Sequence, residues 1–186
     1  MSLDRIRRGL KMGKVLVVYQ SKYGATKKYA EILREEIPCD VVRTEDCRKM
    51  DFSGYDTVLF AGGVYAGSIA GLKDMKKHRR DLTGKKLAVL CVGASPSDPK
   101  AMKKLREQNL KGEFSETPLF YARGAWDESK MDFKDQLMCK LLEKSISRLD
   151  ESACEPWMKE LLTAVGQKHD WVDRKQIRPL IKFLRG

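Results

Sequence analysis

The chain has 186 residues, 42% of them hydrophobic, which suits one domain with a proper core and room for an appendage. Its formal net charge of +11 points to anionic partners rather than to a fold, although a solvated basic surface is the ordinary origin of such an excess. No apolar run is long enough to span a bilayer, and charged residues break up the first twelve positions, which excludes a membrane span and a signal peptide there.

Five cysteines (Cys39, Cys47, Cys91, Cys139 and Cys154) are widely spaced and form no Cys-x-x-Cys, which argues against a disulfide framework or a zinc site and for a reducing cytoplasm. With only His78 and His169 available, no metal site is expected. No basic stretch is interleaved with aromatics in the manner of RNA-binding modules, so nucleic acid is not the expected partner.

Residues 1–13 read as a basic N-terminal extension. Val15 to Tyr19 then form an unbroken run of β-branched, aliphatic and aromatic residues, the pattern of a strand buried on both faces. After the polar loop Ser21-Lys22-Tyr23-Gly24-Ala25-Thr26, the residues Tyr29, Ile32, Leu33 and Ile37 recur at helical spacing. A strand, a short hydroxyl-rich loop and a helix commonly hold a phosphate, because the first amides of a helix lack internal partners and its dipole favours an anion. The same stretch also fits an ordinary turn with a Ser or Thr helix cap. The Walker pattern and Gly-x-Gly-x-x-Gly are both absent, and no cysteine nucleophile lies between Lys14 and Glu36. What remains is a site that binds a phosphate without transferring it.

Pro38 ends the helical pattern, and Asp40 to Thr44 read as a second strand. Thr57 to Ala61 form a third, followed by the glycine-rich loop Gly62-Gly63-Val64-Tyr65-Ala66-Gly67. A basic helix is expected over Leu72 to Leu82. Lys86 to Val92 form a fourth strand, ending in Gly93-Ala94-Ser95-Pro96-Ser97-Asp98, and Pro99 opens the next helix. Thr117 to Ala122 form a fifth strand, which Pro118 marks as an edge. Arg123 to Lys130 read as a loop. Phe133, Leu137, Met138, Leu141, Leu142 and Ile146 trace a long amphipathic helix. Residues 149–186 form a helical tail with two segments expected to dock on the domain. Its final basic stretch from Trp171 also fits a membrane-surface helix.

Strands alternating with helices imply an α/β fold with a parallel sheet and helices on both faces, and ligands in such folds bind beyond the carboxyl ends of the strands. The first, third and fourth strands each end in a glycine- or serine-rich loop at that end.

With these loops in place, residues 14–148 resemble the flavodoxin family. Ser21 to Thr26 are similar to its phosphate loop, departing at Tyr23, where a smaller hydroxyl residue is usual. Gly62 to Gly67 and Gly93 to Asp98 lie where the family's second and third flavin loops lie. More narrowly, the Tyr-Gly-x-Thr loop and the aromatic-bearing segment Arg123 to Phe133 resemble the branch that includes menaquinone-dependent protoporphyrinogen oxidase. The resemblance implies a doubly wound three-layer sandwich with a five-stranded parallel sheet in the order 2-1-3-4-5. It implies FMN as cofactor, its phosphate held by Ser21, Lys22, Tyr23, Gly24, Ala25 and Thr26. Gly63, Val64, Tyr65, Ala66 and Gly67 would line its ring, with Gly93, Ala94 and Ser95 from the third loop.

Ordinary flavodoxins are acidic and carry an aromatic on that third loop; this chain is basic and has none there. Trp126 is the expected cover for the open face, and direct pairing of Lys22 with the phosphate is not expected. The implied activity is oxidoreduction of a small-molecule or quinone substrate. A carrier that passes electrons to protein partners, such as an acidic redox protein, and a basic binding module without flavin are the competing readings. A response-regulator receiver would need carboxylates after the first and third strands, where Gln20 and Gly62 stand. An anionic membrane surface and a homodimer complete the expected partners, with a cytoplasmic location that allows peripheral attachment to a membrane.

Overall fold

The central strand β1 (Val15–Gln20) is apolar on both sides, and the fold follows from that. In the computed structural model, which describes residues 13–47 and 50–186, β1 pairs in parallel with β2 (Cys39–Arg43) on one side and β3 (Thr57–Tyr65) on the other. Beyond β3 lie β5 (Lys86–Gly93) and β6 (Leu119–Arg123), giving the parallel order β2-β1-β3-β5-β6. In chain order of the parallel strands this is 2-1-3-4-5, the order the sequence implies. The two-residue strand β4 (Ser68–Ile69) folds back antiparallel on the end of β3. The basic extension falls outside the described residues, apart from Gly13.

Side chains alternate across a strand, so β1 feeds two cores. Val15 and Val17 join Leu59, Leu90, Tyr29 and Leu33 on one face. Leu16 and Val18 join Phe52, Phe60, Met75 and Val89 on the other. The first face is covered by α1 (Ala25–Glu36) and by the C-terminal helix α7 (Arg178–Arg185). The second is covered by α3 (Leu72–Lys77) and α4 (Pro99–Asn109), with a single helical turn, α2 (Thr44–Cys47), at its margin.

Four stretches differ from the sequence expectation. Strand β3 runs on to Tyr65, so Gly62 to Tyr65, expected in the glycine-rich loop, are ladder residues and the turn itself is only Ala66–Gly67. Helix α3 stops at Lys77 rather than Leu82. Continuing it would stack Lys76, Arg79 and Arg80 on neighbouring turns, and like charges at that spacing are unfavourable. Residues 123–130, expected as a loop, contain β7 (Ala125–Asp127), which pairs antiparallel with β8 (Lys168–Asp170). In the tail, the stretch from Trp171 holds a 3-10 turn at Arg174–Ile177 and the short helix α7, with Pro179 in its first turn.

The apolar side chains of that last stretch lie inside the protein. Ile177, Leu180, Ile181 and Leu184 are 0 to 6% exposed and belong to the same core as β1. Burying a side chain of this size contributes up to about 1.5–3 kcal/mol. Four of them are comparable to the whole stability of a typical domain, about 5–15 kcal/mol. The segment is therefore integral to the first core and has no apolar face left to lay on a membrane.

The opposite holds for α5 (Phe133–Ile146), which follows β7. An amphipathic helix of a globular domain ordinarily turns its apolar stripe to the core. Instead Phe133 is 80% exposed, and Leu137, Met138, Leu141 and Leu142 are exposed with it. The sheltered side of the helix carries Asp135, Gln136, Cys139 and Glu143, with Ile146 fully buried at its end. The helix is inverted, polar side inward, and packs against α6 (Pro156–Ala164) and, at its first turn, the loop after β1.

At the end of β3, Gly62 faces the returning chain so closely that a Cβ there would stand 1.9 Å from the carbonyl oxygen of Ala70. Backbone cannot yield as a flexible side chain can. We expect Gly62→Ala to lower unfolding stability by about 3 kcal/mol or more in urea titration, at the upper end of overpacking costs. A loss below 1 kcal/mol would mean that the β3–β4 turn relaxes freely.

Candidate functional site

The ends of β1, β3 and β5 bring three loops to one edge of the sheet. The first, Ser21 to Gly24, leads into α1. Gly24 caps that helix at φ 98°, left-handed backbone that any other L-residue adopts only at a cost. No side chain caps α1 and its first turn holds no acidic residue. The opening amides of a helix have no internal partners. Those of α1 and the positive end of its dipole are thus available to an anion. Around the position a Cβ would take on Gly24 there is open space. The Gly24 amide donates to Ser21 Oγ at 3.1 Å, which fixes the loop's curvature. Thr26 is buried at 2% exposure.

The second loop is a tight hairpin. Tyr65 pairs with Ser68 across the two-residue turn Ala66–Gly67, whose φ values of 47° and 77° are those of the type I′ turn that matches strand twist. Asn109, 8% exposed on α4, clamps it by accepting from the Ile69 amide and donating to the Gly67 carbonyl. The Tyr65 ring folds back over Gly63, where an added Cβ would meet it at 2.8 Å. It packs edge-on to Tyr23, with ring centres 6.3 Å apart, and the Lys22 ammonium lies 6.0 Å from its ring centre. The first two loops are thereby joined through their tyrosines, and burial raises the Tyr65 hydroxyl above its ordinary value.

The third loop is held from β6. Tyr121 donates to the Ser95 carbonyl, and Arg123 Nε donates to the Ala94 carbonyl at 2.8 Å. The Arg123 guanidinium also lies 3.6 Å from the centre of the Trp171 ring and pairs with Glu160. Trp126 is on β7, 7% exposed, and its Nε1 donates to Glu128 at 3.2 Å. It shares a narrow cleft with Ala94, Ser95, Leu161, Ala164 and Trp171. It therefore stands beside the third loop, enclosed by tail residues and presenting little surface of its own.

Sequence reasoning missed Asp132 and Asp135, which open α5. Lys22 Nζ reaches Asp132 at 2.8 Å and Asp135 at 2.7 Å, and the Tyr23 hydroxyl donates to Asp135. The first turn of the inverted helix thus grips the phosphate-type loop. The available signal was Asp132-Phe133-Lys134-Asp135, an N-terminal helix pattern that locates a helix start but not what its carboxylates meet. Asp132 accepts from the Asp135 amide at 2.9 Å as a helix cap in the usual way. Sequence reasoning also passed over Tyr121 and Arg123 as holders of the third loop.

Lys22 lowers both carboxyls, aided at Asp132 by the Asp135 amide and at Asp135 by the Tyr23 hydroxyl. In return Asp132 and then Asp135 raise the Lys22 ammonium above its ordinary 10.5. A depressed carboxyl stabilises the contact above the ordinary aspartate range, near 4, and the contribution is lost as pH falls through the lowered values. A raised lysine stabilises it below 10.5 and loses it as pH climbs through the raised value. The grip is therefore complete at neutral pH. Amide hydrogen exchange in Asp135 to Leu137 should be slow near pH 7 and speed up in Asp132→Asn/Asp135→Asn by several-fold. Equal exchange in the variant would show that α5 is held by its packing alone.

A family model described as flavodoxin domain matches residues 16–152. No curated protein matches the chain. Among solved structures, a flavoprotein from Lactobacillus acidophilus in complex with FMN is 16% identical, covering 60% of this chain and 92% of that one at a TM-score of 0.44. A flavodoxin variant from Fusobacterium nucleatum bound to flavin mononucleotide is 15% identical, covering 58% and 68% at 0.42. A flavodoxin from the domain Archaea is 16% identical, covering 69% and 92% at 0.38. The family match spans well over half of the sequence and includes all three loops, and on it the chain belongs to the flavodoxin family.

Proposed function

We propose that this chain is an FMN-dependent oxidoreductase that exchanges electrons with a quinone or other flat small molecule. FMN is the cofactor that membership of the flavodoxin family brings, and the first loop fits its phosphate end. The observation that carries the reading is the uncapped start of α1 behind left-handed Gly24, with open space before it. Ser21, Gly24 and Ala25 would hold the phosphate there. Lys22 is engaged by Asp132 and Asp135, so its charge is neutralised by those carboxylates and the phosphate is left to the loop's amides and hydroxyls.

When bound, FMN supplies the redox chemistry; the protein binds, orients and excludes water. Tyr65, packed edge-on to Tyr23 and 36% exposed, is the aromatic surface available to a ring on the second loop. Arg123 and Tyr121 fix the Ala94 and Ser95 carbonyls and so set the shape of the third loop. That loop offers only small side chains, and Trp126 is enclosed beside it. A third loop with no aromatic of its own leaves a bound ring uncovered on that side, which suits stacking by a flat substrate. A quinone, or a tetrapyrrole of the protoporphyrinogen type, has the required flatness.

The test is a titration of the purified protein with FMN, followed by anaerobic reduction and mixing with menadione. We expect quenching of flavin fluorescence on binding, bleaching on reduction and rapid reoxidation by the quinone. Gly24→Ala should weaken FMN binding by about tenfold, through the cost of left-handed backbone at a residue with a Cβ. Reoxidation only by a haem protein would turn the reading to an electron carrier. An absence of FMN binding would remove the oxidoreductase reading altogether.

A further inference from the structure

The outward face of α5 needs an occupant. Phe133, Leu137, Met138, Leu141 and Leu142, at 40 to 80% exposure, lie along one side of a single helix, and Leu149 is exposed just beyond its far end. Scattered apolar side chains on a surface are ordinary, but a contiguous stripe marks a contact surface. The stripe is not an undocked core face either, because the other side of α5 is already settled. Ile146 is buried, Gln136 donates to the Glu128 and Met131 carbonyls, and Asp132 and Asp135 hold Lys22.

The charges around the stripe identify what covers it. Lys134, Lys140, Lys144 and Arg148 are all exposed among or beside the apolar residues, on a chain whose net charge is +11. A second copy would set these cations against their own images across a two-fold axis, and buried like charges oppose association. A lipid surface takes both features at once. Apolar side chains enter the acyl boundary, while lysine and arginine stems run back to the headgroups.

We propose that α5 docks the protein on an anionic membrane surface, with its apolar stripe in the interface and its basic residues among the lipid phosphates. No described helix is long and apolar enough to cross a membrane, so the contact is peripheral. The first turn of α5 also grips Lys22 and Tyr23, which places the bilayer alongside the loop Ser21 to Thr26. A lipid-soluble quinone would then be supplied next to the site. That last step rests on the flavin reading; the docking does not.

The test is co-sedimentation of the full chain with vesicles of phosphatidylcholine alone and with phosphatidylserine added, at low and physiological salt, read by protein recovery without reference to flavin. The expected result is partition onto the anionic vesicles that weakens with salt. Leu137→Ser with Leu141→Ser, both on exposed positions, should reduce it by about tenfold per side chain. Lys140→Gln with Lys144→Gln should reduce it by roughly twenty-fold on anionic vesicles and leave neutral vesicles unaffected. Circular dichroism matching the parent confirms that each variant is folded. Absence of vesicle binding at low salt overturns the proposal. So does binding that the serine variant retains in full, because it then arises from the general basic charge. Sedimentation equilibrium showing a dimer that the serine variant abolishes, with no vesicle binding, would assign the face to a second copy instead.

Discussion

The constraint on which the molecule depends is the double burial of β1. Val15 and Val17 lie in one core and Leu16 and Val18 in the other, so β1 needs helices on both faces, and here it also has β2 and β3 on its two sides. Parallel pairing then sends every loop that follows a central strand to the same end. The site is a consequence of this geometry. Ser21 to Gly24, Gly63 to Gly67 and Gly93 to Ser95 are far apart in the chain, yet they meet because β1, β3 and β5 are adjacent.

The contacts between these loops are made mostly by side chains whose identity carried no motif. Tyr23 and Tyr65 pack edge-on, the Lys22 ammonium lies over both rings, and Asn109 locks the hairpin from a helix 42 residues away in the chain. Such links preorganise backbone more than they bind ligand. A type I′ turn with Ala66 in left-handed conformation is held where its amides and carbonyls are needed, and Asn109, a buried amide with three hydrogen bonds, holds it. A buried polar group left unpaired costs about 1–3 kcal/mol, so a satisfied one specifies its surroundings strongly.

The sheet was legible because its signal is local. Val15 to Tyr19, Thr57 to Ala61 and Lys86 to Val92 announce buried strands by composition alone, and Gly24 and Gly62 to Gly67 announce the turns that follow them. The strand order came from the resemblance, since composition does not order strands. β7 and β8 were invisible for a different reason. Each is three residues long, and Trp126 meets His169 only because the tail returns to that position. The grip of Asp132 and Asp135 on Lys22 was illegible for the same reason, as 110 and 113 residues separate the partners. Short-range patterns fix where a helix begins and say nothing of what its first turn will meet.

Helix α5 shows a sharper limit of periodic reading. A helical repeat in Phe133, Leu137, Leu141 and their neighbours identifies an apolar side, but periodicity has no sign: it does not say whether that side turns toward the protein or away from it. What decides the direction here is electrostatic. Asp132 and Asp135 lie on the turn that meets Lys22, and three short polar contacts fix the rotation of the helix about its axis. With that rotation, Leu137 and Leu141 point outward. Partly exposed ion pairs contribute about 0–1 kcal/mol each, less than burial of one leucine, so the grip orients the first turn and the apolar side is left for a contact of its own. The tail reads the other way: α7 turns Leu180, Ile181 and Leu184 into the core while Arg185 pairs with Glu36 and the Phe183 carbonyl accepts from Lys86, so there the polar ties and the apolar side act together.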